Sequence, residues 1–388
     1  MDYILNIAGK IKPYEIIKDP VPHILVESNK EMHGWWDGKR ECTSERLLIN
    51  PYAGCSISCP FCYANALWGY FQAFRKDRII TVFRDFDMVI AKQLDSIDVA
   101  SCGYLSPVTD PFQKVEGKYH LSRNIIHEFI KRNIPIEFIT KQRVPQDVID
   151  IMKEQKHSFG QVSILTWNEK MRRVLAPGGA STEELLDNIK RMDQAGMYSV
   201  VRLDPIIPYV TDNKDELEEL IKRARDAGAR HVIASCMDIP LKIKQDIIKA
   251  LRIIVPDIET KYKDLYTELI GGDLNARLDY RLELFDFLKE TCTENGMTIA
   301  LCKEYKMEEN KPRGLNRYFM TSTNCEGMDV PLYIRKGNVF QPLENCNGNC
   351  LGCNGEECNI NENKLGGALT LKDYRNWKIM DDQISLFD

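Results

Sequence analysis

The 388-residue sequence contains no apolar run long enough to cross a bilayer; stretches such as 206–207 and 253–255 stop after a few residues. The N-terminus lacks the basic region and long apolar core of a secretory signal. There is no basic excess: the net charge is −5, so no global nucleic-acid footprint is imposed, although a local basic face is compatible with that figure. No low-complexity segment occurs. These absences point to a globular cytoplasmic protein, with 44% hydrophobic residues to supply a core.

What the chain does have is cysteine. Thirteen cysteines in a cytoplasmic setting, where disulfides are disfavoured, imply metal or redox chemistry. They fall into groups. Cys55, Cys59 and Cys62 lie near the start, and Cys346, Cys350, Cys353 and Cys358 near the end, with Cys325 upstream of these. Cys42, Cys102, Cys236, Cys292 and Cys302 are scattered, and most of these five are expected to be small buried hydrophobes.

Between residues 46 and 302 strand-like and helix-like segments alternate. Strands are predicted at 97–105, 134–140, 160–166, 198–203, 231–235 and 298–302. Helices are predicted at 121–132, 144–155, 215–227 and 282–294. A further helix starts at Ser181, whose capping box with Glu184 precedes Leu185, Leu186, Ile189 and Met192 on one face, and it ends at Gly196. Such repetition implies a parallel sheet with right-handed crossovers and ligands at the C-terminal strand ends. Periodicity does not separate a partial barrel from an open doubly wound sheet. The expected organisation is an extension over 1–45, an α/β domain over 46–305, a small Cys-rich module over 306–365 and a tail over 366–388.

The segment Cys55-Ser-Ile-Ser-Cys59-Pro-Phe-Cys62 puts three thiolates on a Gly- and Pro-containing loop between a strand at 47–49 and an apolar helix from 63. Three cysteines ligate three irons of a cubane and leave the fourth open. The Cys-x3-Cys-x2-Cys spacing, with an aromatic before the third cysteine, resembles the radical S-adenosylmethionine superfamily. The longer stretch resembles its spore photoproduct lyase-like group, through Val108-Thr-Asp-Pro-Phe-Gln, Ile139-Thr-Lys-Gln, Val162-Ser-Ile and Leu203-Asp-Pro-Ile-Ile-Pro.

That resemblance implies a partial (β/α)6 barrel, a catalytic [4Fe–4S] cluster, S-adenosylmethionine chelated to its open iron, and a 5′-deoxyadenosyl radical that abstracts hydrogen. It also implies a flavodoxin or ferredoxin-type electron donor. By position, Lys141 would pair with the cofactor carboxylate, Ser163 would hydrogen-bond the cofactor, Phe61 would pack near adenine, and Asp110 would bind ribose or amine unless it caps the turn at Pro111. Arg202 and Asp204 would face the same mouth or pair with each other. One departure stands out. Spore photoproduct lyases keep a hydrogen-donating cysteine just before their equivalent of Thr109–Asp110, where this chain has Pro107 and Val108. Cys102 upstream, with Asp110, is the catalytic candidate that remains.

The second cluster, Cys346, Cys350 and Cys353, repeats the first spacing, with Cys358 and Cys325 as further ligands. Too little chain follows it for a barrel. An auxiliary [4Fe–4S] cluster is expected, with structural zinc or free thiols as alternatives. The sequence ends Gln383-Ile-Ser-Leu386-Phe387-Asp, which looks like the peptide by which bacterial repair and replication proteins dock on the sliding DNA clamp. The functions this leaves are radical modification or repair of nucleic acid, radical modification of a peptide or small metabolite, and a non-catalytic metal-binding interaction protein. No membrane partner is expected.

Overall fold

The computed structural model describes residues 2–7, 10–34, 45–348 and 369–377. The chain opens with an antiparallel hairpin, β1 (Asp2–Ile7) and β2 (Lys10–Glu15). β3 (His23–Glu27) pairs in parallel with β6 (Ile80–Arg84), which also takes β5 (Tyr52–Ala53), so the N-terminal extension is sewn onto the main domain.

The main sheet is wholly parallel and runs in chain order: β4 (Arg46–Ile49), β8 (Cys102–Leu105), β9 (Ile136–Thr140), β10 (Phe159–Ser163), β11 (Tyr198–Ile206), β12 (His231–Cys236) and β16 (Thr298–Leu301). Neighbouring strands in sequence are neighbours in space, as right-handed strand–helix–strand crossovers require. β4 and β16 are the two outer strands, so the sheet is an open, seven-stranded partial barrel. Its outer face is sealed by apolar residues such as Phe129, Ile136 and Phe138, all fully buried. The helix Thr182–Gln194 carries the expected capping box between Ser181 and Glu184.

Three departures from the pattern have physical causes. The run at 97–105 is two strands, β7 (Val99–Ala100) and β8, separated at Ser101, whose hydroxyl meets the Tyr374 hydroxyl at 2.8 Å. The helix expected from residue 63 is a single tight turn, Tyr63–Ala66, and a second helix, Phe71–Asp77, begins after Gly69 at a φ of 72°. Between β12 and β16 an insertion carries β13 (Ile239–Pro240), β14 (Glu268–Ile270) and β15 (Asp273–Asn275). It reaches the segment after the first cysteines, where Lys242 Nζ donates to the Ala66 carbonyl at 2.8 Å.

The described part of the C-terminal region is packed against the barrel. After the hairpin β17 (Tyr305–Glu308) and β18 (Lys311–Gly314), β19 (Tyr333–Lys336) pairs with both β7 and β20 (Val339–Pro342). The segment around 324–330 plugs the N-terminal end of the barrel. There Glu326 joins Arg46 at 2.5 Å, Arg46 joins Glu137 at 3.0 Å, and Gln161 links Glu137 to Arg202. These charges are buried, so each depends on its partner; removing one from such a group costs about 3–5 kcal/mol. No helix among the described residues is long and apolar enough to cross a membrane.

Candidate active site

The loop carrying Cys55, Cys59 and Cys62 leaves β5 at the C-terminal mouth of the sheet. Gly54 starts it at a φ of +88°, with Phe74 side-chain atoms 2.7 Å from where a Cβ would stand, so only glycine fits. The loop is then braced from two other strand ends. Gln113, fully buried, accepts from Ser56 N–H at 3.0 Å and donates to the Gly54 carbonyl at 3.2 Å. Gly178 donates its N–H to the Ile57 carbonyl at 3.0 Å, and its own carbonyl accepts from Gln142 Nε2 at 2.6 Å. A Cβ on Gly178 would fall 2.0 Å from the Ser56 carbonyl oxygen. Gln113 and Gly178 were not singled out from sequence. Gln113 ends the Thr-Asp-Pro-Phe-Gln stretch, which was the available signal; the role of Gly178 depends on a contact across more than a hundred residues.

The three thiols share one electrostatic environment. Burial raises the pKa of all three, Cys59 to about 12, and they oppose each other's ionisation; the Lys141 ammonium acts the other way on Cys59 and Cys62. Buried thiols held this way ionise readily only when a metal replaces the proton. Among the described residues no three Cys, His, Asp or Glu side chains converge on a single ion. A cubane gives each thiolate its own iron and so asks for a wider spread. At the same mouth Ser106 Oγ and Thr109 Oγ1 are buried without a hydrogen-bond partner among the described residues. Orphaned buried hydroxyls beside three cysteines suit a bound polar group, and the residues fit a cluster with its cofactor.

The remaining sequence candidates separate into those the mouth uses and those that support it. Lys141 and Ser163 line one crevice with Leu165, Ala176 and Gly179. Phe61 is buried between the second and third cysteines. Asp110 proves to be a clamp: its carboxylate accepts from Phe112 N–H at 2.9 Å, Lys141 N–H at 2.7 Å and Thr140 Oγ1 at 3.0 Å. The Phe112 N–H contact is the turn cap at Pro111 that the sequence offered as one alternative. Burial pushes the Asp110 pKa up despite these donors. Arg202 and Asp204 pair with each other at the mouth, and Arg202 also donates to Cys302 Sγ at 3.1 Å. Burial alone would raise Asp204, but Arg202 and the Ser235 hydroxyl overcome it and leave the carboxyl below its usual value.

Cys102 is 1% exposed and lies lower in the barrel than Tyr104 on the same strand, beside Arg46 and Glu137. It is not at the mouth. A further thiol at the mouth is Cys302, which follows β16 and was expected among the scattered cysteines. Of the second group, Cys325 lies at the opposite end of the barrel, its carbonyl accepting from His231 Nε2 at 2.9 Å. Cys346 Sγ accepts from Leu332 N–H at 3.3 Å. Cys350, Cys353, Cys358 and the Gln383–Phe387 tail lie outside the described residues.

A parallel partial barrel with a three-cysteine loop at its mouth defines a class, and comparison with known proteins agrees. Residues 49–224 match the sequence model of the radical SAM superfamily. These residues carry a radical SAM domain and the protein is an enzyme; the superfamily that the domain resembles implies a [4Fe–4S] cluster and S-adenosylmethionine. The chain is 29% identical over 353 residues to a radical SAM Nalpha-GlyT isomerase of Pseudomonas phage M6, covering 86% of this chain and 73% of that protein. It is 23% identical over 235 residues to an uncharacterized protein of Mycobacterium tuberculosis, covering 57% and 67%. A spore photoproduct lyase mutant superposes with a TM-score of 0.53 at 15% identity, over 71% of this chain and 80% of that one. A related structure of that lyase, with bound AdoMet and dinucleoside spore photoproduct, gives 0.52. At such identities the likeness is one of fold.

Lys141→Ala should weaken S-adenosylmethionine binding by about 1.5–3 kcal/mol, the usual size of a charge-assisted contact. Equilibrium binding to anaerobically reconstituted protein measures it, and an unchanged affinity would remove Lys141 from the cofactor site.

Proposed function

We propose that the protein modifies DNA by a radical-initiated rearrangement: an isomerisation rather than lyase-type repair. The observation that carries this is the similarity to the phage isomerase over 86% of the chain. The mouth supports it, because Pro107 and Val108 stand where a lyase-type thiol would be, and Cys102 is buried below. The DNA assignment draws support from the shared fold with an enzyme solved with a dinucleoside photoproduct.

When bound, the cluster and S-adenosylmethionine supply a 5′-deoxyadenosyl radical that takes one hydrogen atom from the substrate. Cys55, Cys59 and Cys62 would hold the cluster, Lys141 would neutralise the cofactor carboxylate, and Ser106, Thr109 and Ser163 would offer hydroxyls to its polar atoms. Asp110 fixes the backbone of Lys141. Arg202, locked by Gln161 and Asp204, presents a fixed charge beside Cys302. In an isomerisation the abstracted hydrogen is returned to the rearranged product, so substrate and product balance without a stoichiometric reductant. A flavodoxin or ferredoxin-type protein would supply the initiating electron, and Cys346, Cys350, Cys353 and Cys358 would hold an auxiliary cluster or zinc.

The test incubates reconstituted enzyme with S-adenosylmethionine, dithionite and single-stranded or duplex DNA, then digests the DNA to nucleosides. A nucleoside of unchanged mass and shifted retention is expected. A product of altered mass, or cofactor cleavage stimulated by peptides and not by DNA, contradicts the proposal.

The tail adds a partner. A peptide of the last ten residues should bind purified sliding clamp with a dissociation constant on the order of micromolar, since a short segment must order itself on binding. Replacing Leu386 and Phe387 with Ala should abolish binding, because those side chains supply the apolar area. An unmodified peptide that fails to bind removes the clamp from the account.

A further inference from the structure

The rim of the mouth carries exposed aromatic rings, each faced by a cation. Trp68 is 76% exposed and Tyr63 44%, on the segment that follows Cys62. Lys242 Nζ stands 3.8 Å from the Trp68 ring centroid, and Lys303 Nζ 5.7 Å from that of Tyr63. The Tyr63 hydroxyl donates to the Pro107 carbonyl at 2.9 Å, so this ring leans over the mouth toward the loop after β8. Arg75 Nη2 donates to the Lys242 carbonyl at 3.2 Å, which adds a third cation to the same strip.

Four separate stretches of chain build this strip: the continuation of the cysteine loop, the helix at Phe71–Asp77, the insertion after β12, and Lys303, the second residue after β16. A tryptophan left three-quarters exposed forgoes a large burial gain. Lys242 lies over the Trp68 ring, and most of that side chain is open to solvent. Leu241, 54% exposed, adds an apolar contact next to Lys242. The nearby acids are partly accounted for: Asp77 accepts from the Tyr3 hydroxyl at 2.8 Å, and Asp238 faces Lys303 at the inner end. A flat apolar ring with cations beside it complements a base followed by its phosphate. The overall charge of −5 makes a local cationic strip the place where a polyanion would settle.

We propose that Trp68, Tyr63, Lys242, Lys303 and Arg75 form a docking strip for single-stranded DNA. One base stacks on the exposed Trp68 ring, Lys242 and Arg75 take the adjoining phosphates, and the strand is led past Tyr63 to the cluster. The proposal rests on the DNA reading above and names the surface that reading needs.

The test is anisotropy titration of the reconstituted full chain with a fluorescein-labelled ten-nucleotide thymidine strand, its duplex, and the matching single-stranded RNA. Wild type should bind the DNA strand more tightly than the duplex or the RNA. Trp68→Ala should weaken strand binding about tenfold or more, and Trp68→Phe should restore most of it. Lys242→Gln should lower the salt dependence by about 0.7 in log–log slope, the share of one single-strand phosphate. Iron content and melting temperature check that each variant is folded, which the exposure of both side chains favours. Wild-type binding unaffected by Trp68→Ala overturns the strip and leaves the DNA reading standing, as does RNA bound as tightly as DNA. Failure of wild type to bind any of the DNA probes overturns both.

Discussion

Replacing Cys55, Cys59 or Cys62 with Ala should abolish reductive cleavage of S-adenosylmethionine, a loss of at least about a thousandfold, because each thiolate would hold a different iron of the proposed cluster. Cys302, a further thiol described at the mouth, is engaged by Arg202 at 3.1 Å. Cys102 is buried lower in the barrel and Cys325 at its far end, where its carbonyl meets His231. The loop cannot shift another group into place, since Gln113 and Gly178 fix its backbone on both sides. Release of 5′-deoxyadenosine under dithionite is the readout, with iron content measured on the same samples. Any single variant that retained full cleavage would show that its cysteine is not a ligand.

Gly178→Ala should cost most of the cluster without touching a ligand. The new methyl would sit 2.0 Å from the Ser56 carbonyl oxygen, which is backbone and has no rotamer to change. Either the Gly178 turn or the cysteine loop must move, and the hydrogen bond from Gly178 N–H to Ile57 goes with it. Overpacking against a well-packed site costs about 1–3 kcal/mol. The cysteine loop is the expected point of yielding, so iron per chain should fall below about half of wild type while the far-ultraviolet spectrum is kept. Ala substitution at Gly117, where a Cβ meets nothing within 4 Å, is the control and should leave iron content unchanged. Normal loading in Gly178→Ala would mean the turn yields instead and that the brace is dispensable.

The alternating frame was legible because each unit carries its own local signals. The strand expected at 134–140 is Ile136–Thr140, and the Ser181 capping box is present as read. Elements were lost where distant contacts decide. Ser101 interrupts a continuous apolar run because its partner Tyr374 lies far along the chain. The insertion at 239–277 joins strands of two or three residues, too short to show a period, to two helices of only eight residues, Lys244–Leu251 and Ile258–Leu265. The polar barrel interior was equally hidden: Glu137 and Gln161 alternate with apolar neighbours as surface-facing residues would, yet both point inward and pair with Arg46 and Arg202.

The site divides in the same way. The placement of the three-cysteine loop, Lys141 and Ser163 at the mouth could be read because they lie in short motifs. Asp110 was read in the right place, but its role depends on three donors, two of them contributed by the next strand. Cys302 carried no signal, since its meeting with Arg202 arises from strand register across the sheet, with β12 pairing β11 on one side and β16 on the other.

The central claim is that Cys55, Cys59 and Cys62 hold a redox-active cluster that opens onto S-adenosylmethionine at the mouth of the barrel. Its most direct measurement is electron paramagnetic resonance of the anaerobically reduced chain carrying the Cys346, Cys350, Cys353 and Cys358 substitutions to Ala, with and without S-adenosylmethionine. A reduced [4Fe–4S] signal whose g values shift when the cofactor is added, accompanied by 5′-deoxyadenosine, is the predicted result. A signal that the cofactor leaves unchanged, with no 5′-deoxyadenosine formed, would contradict it.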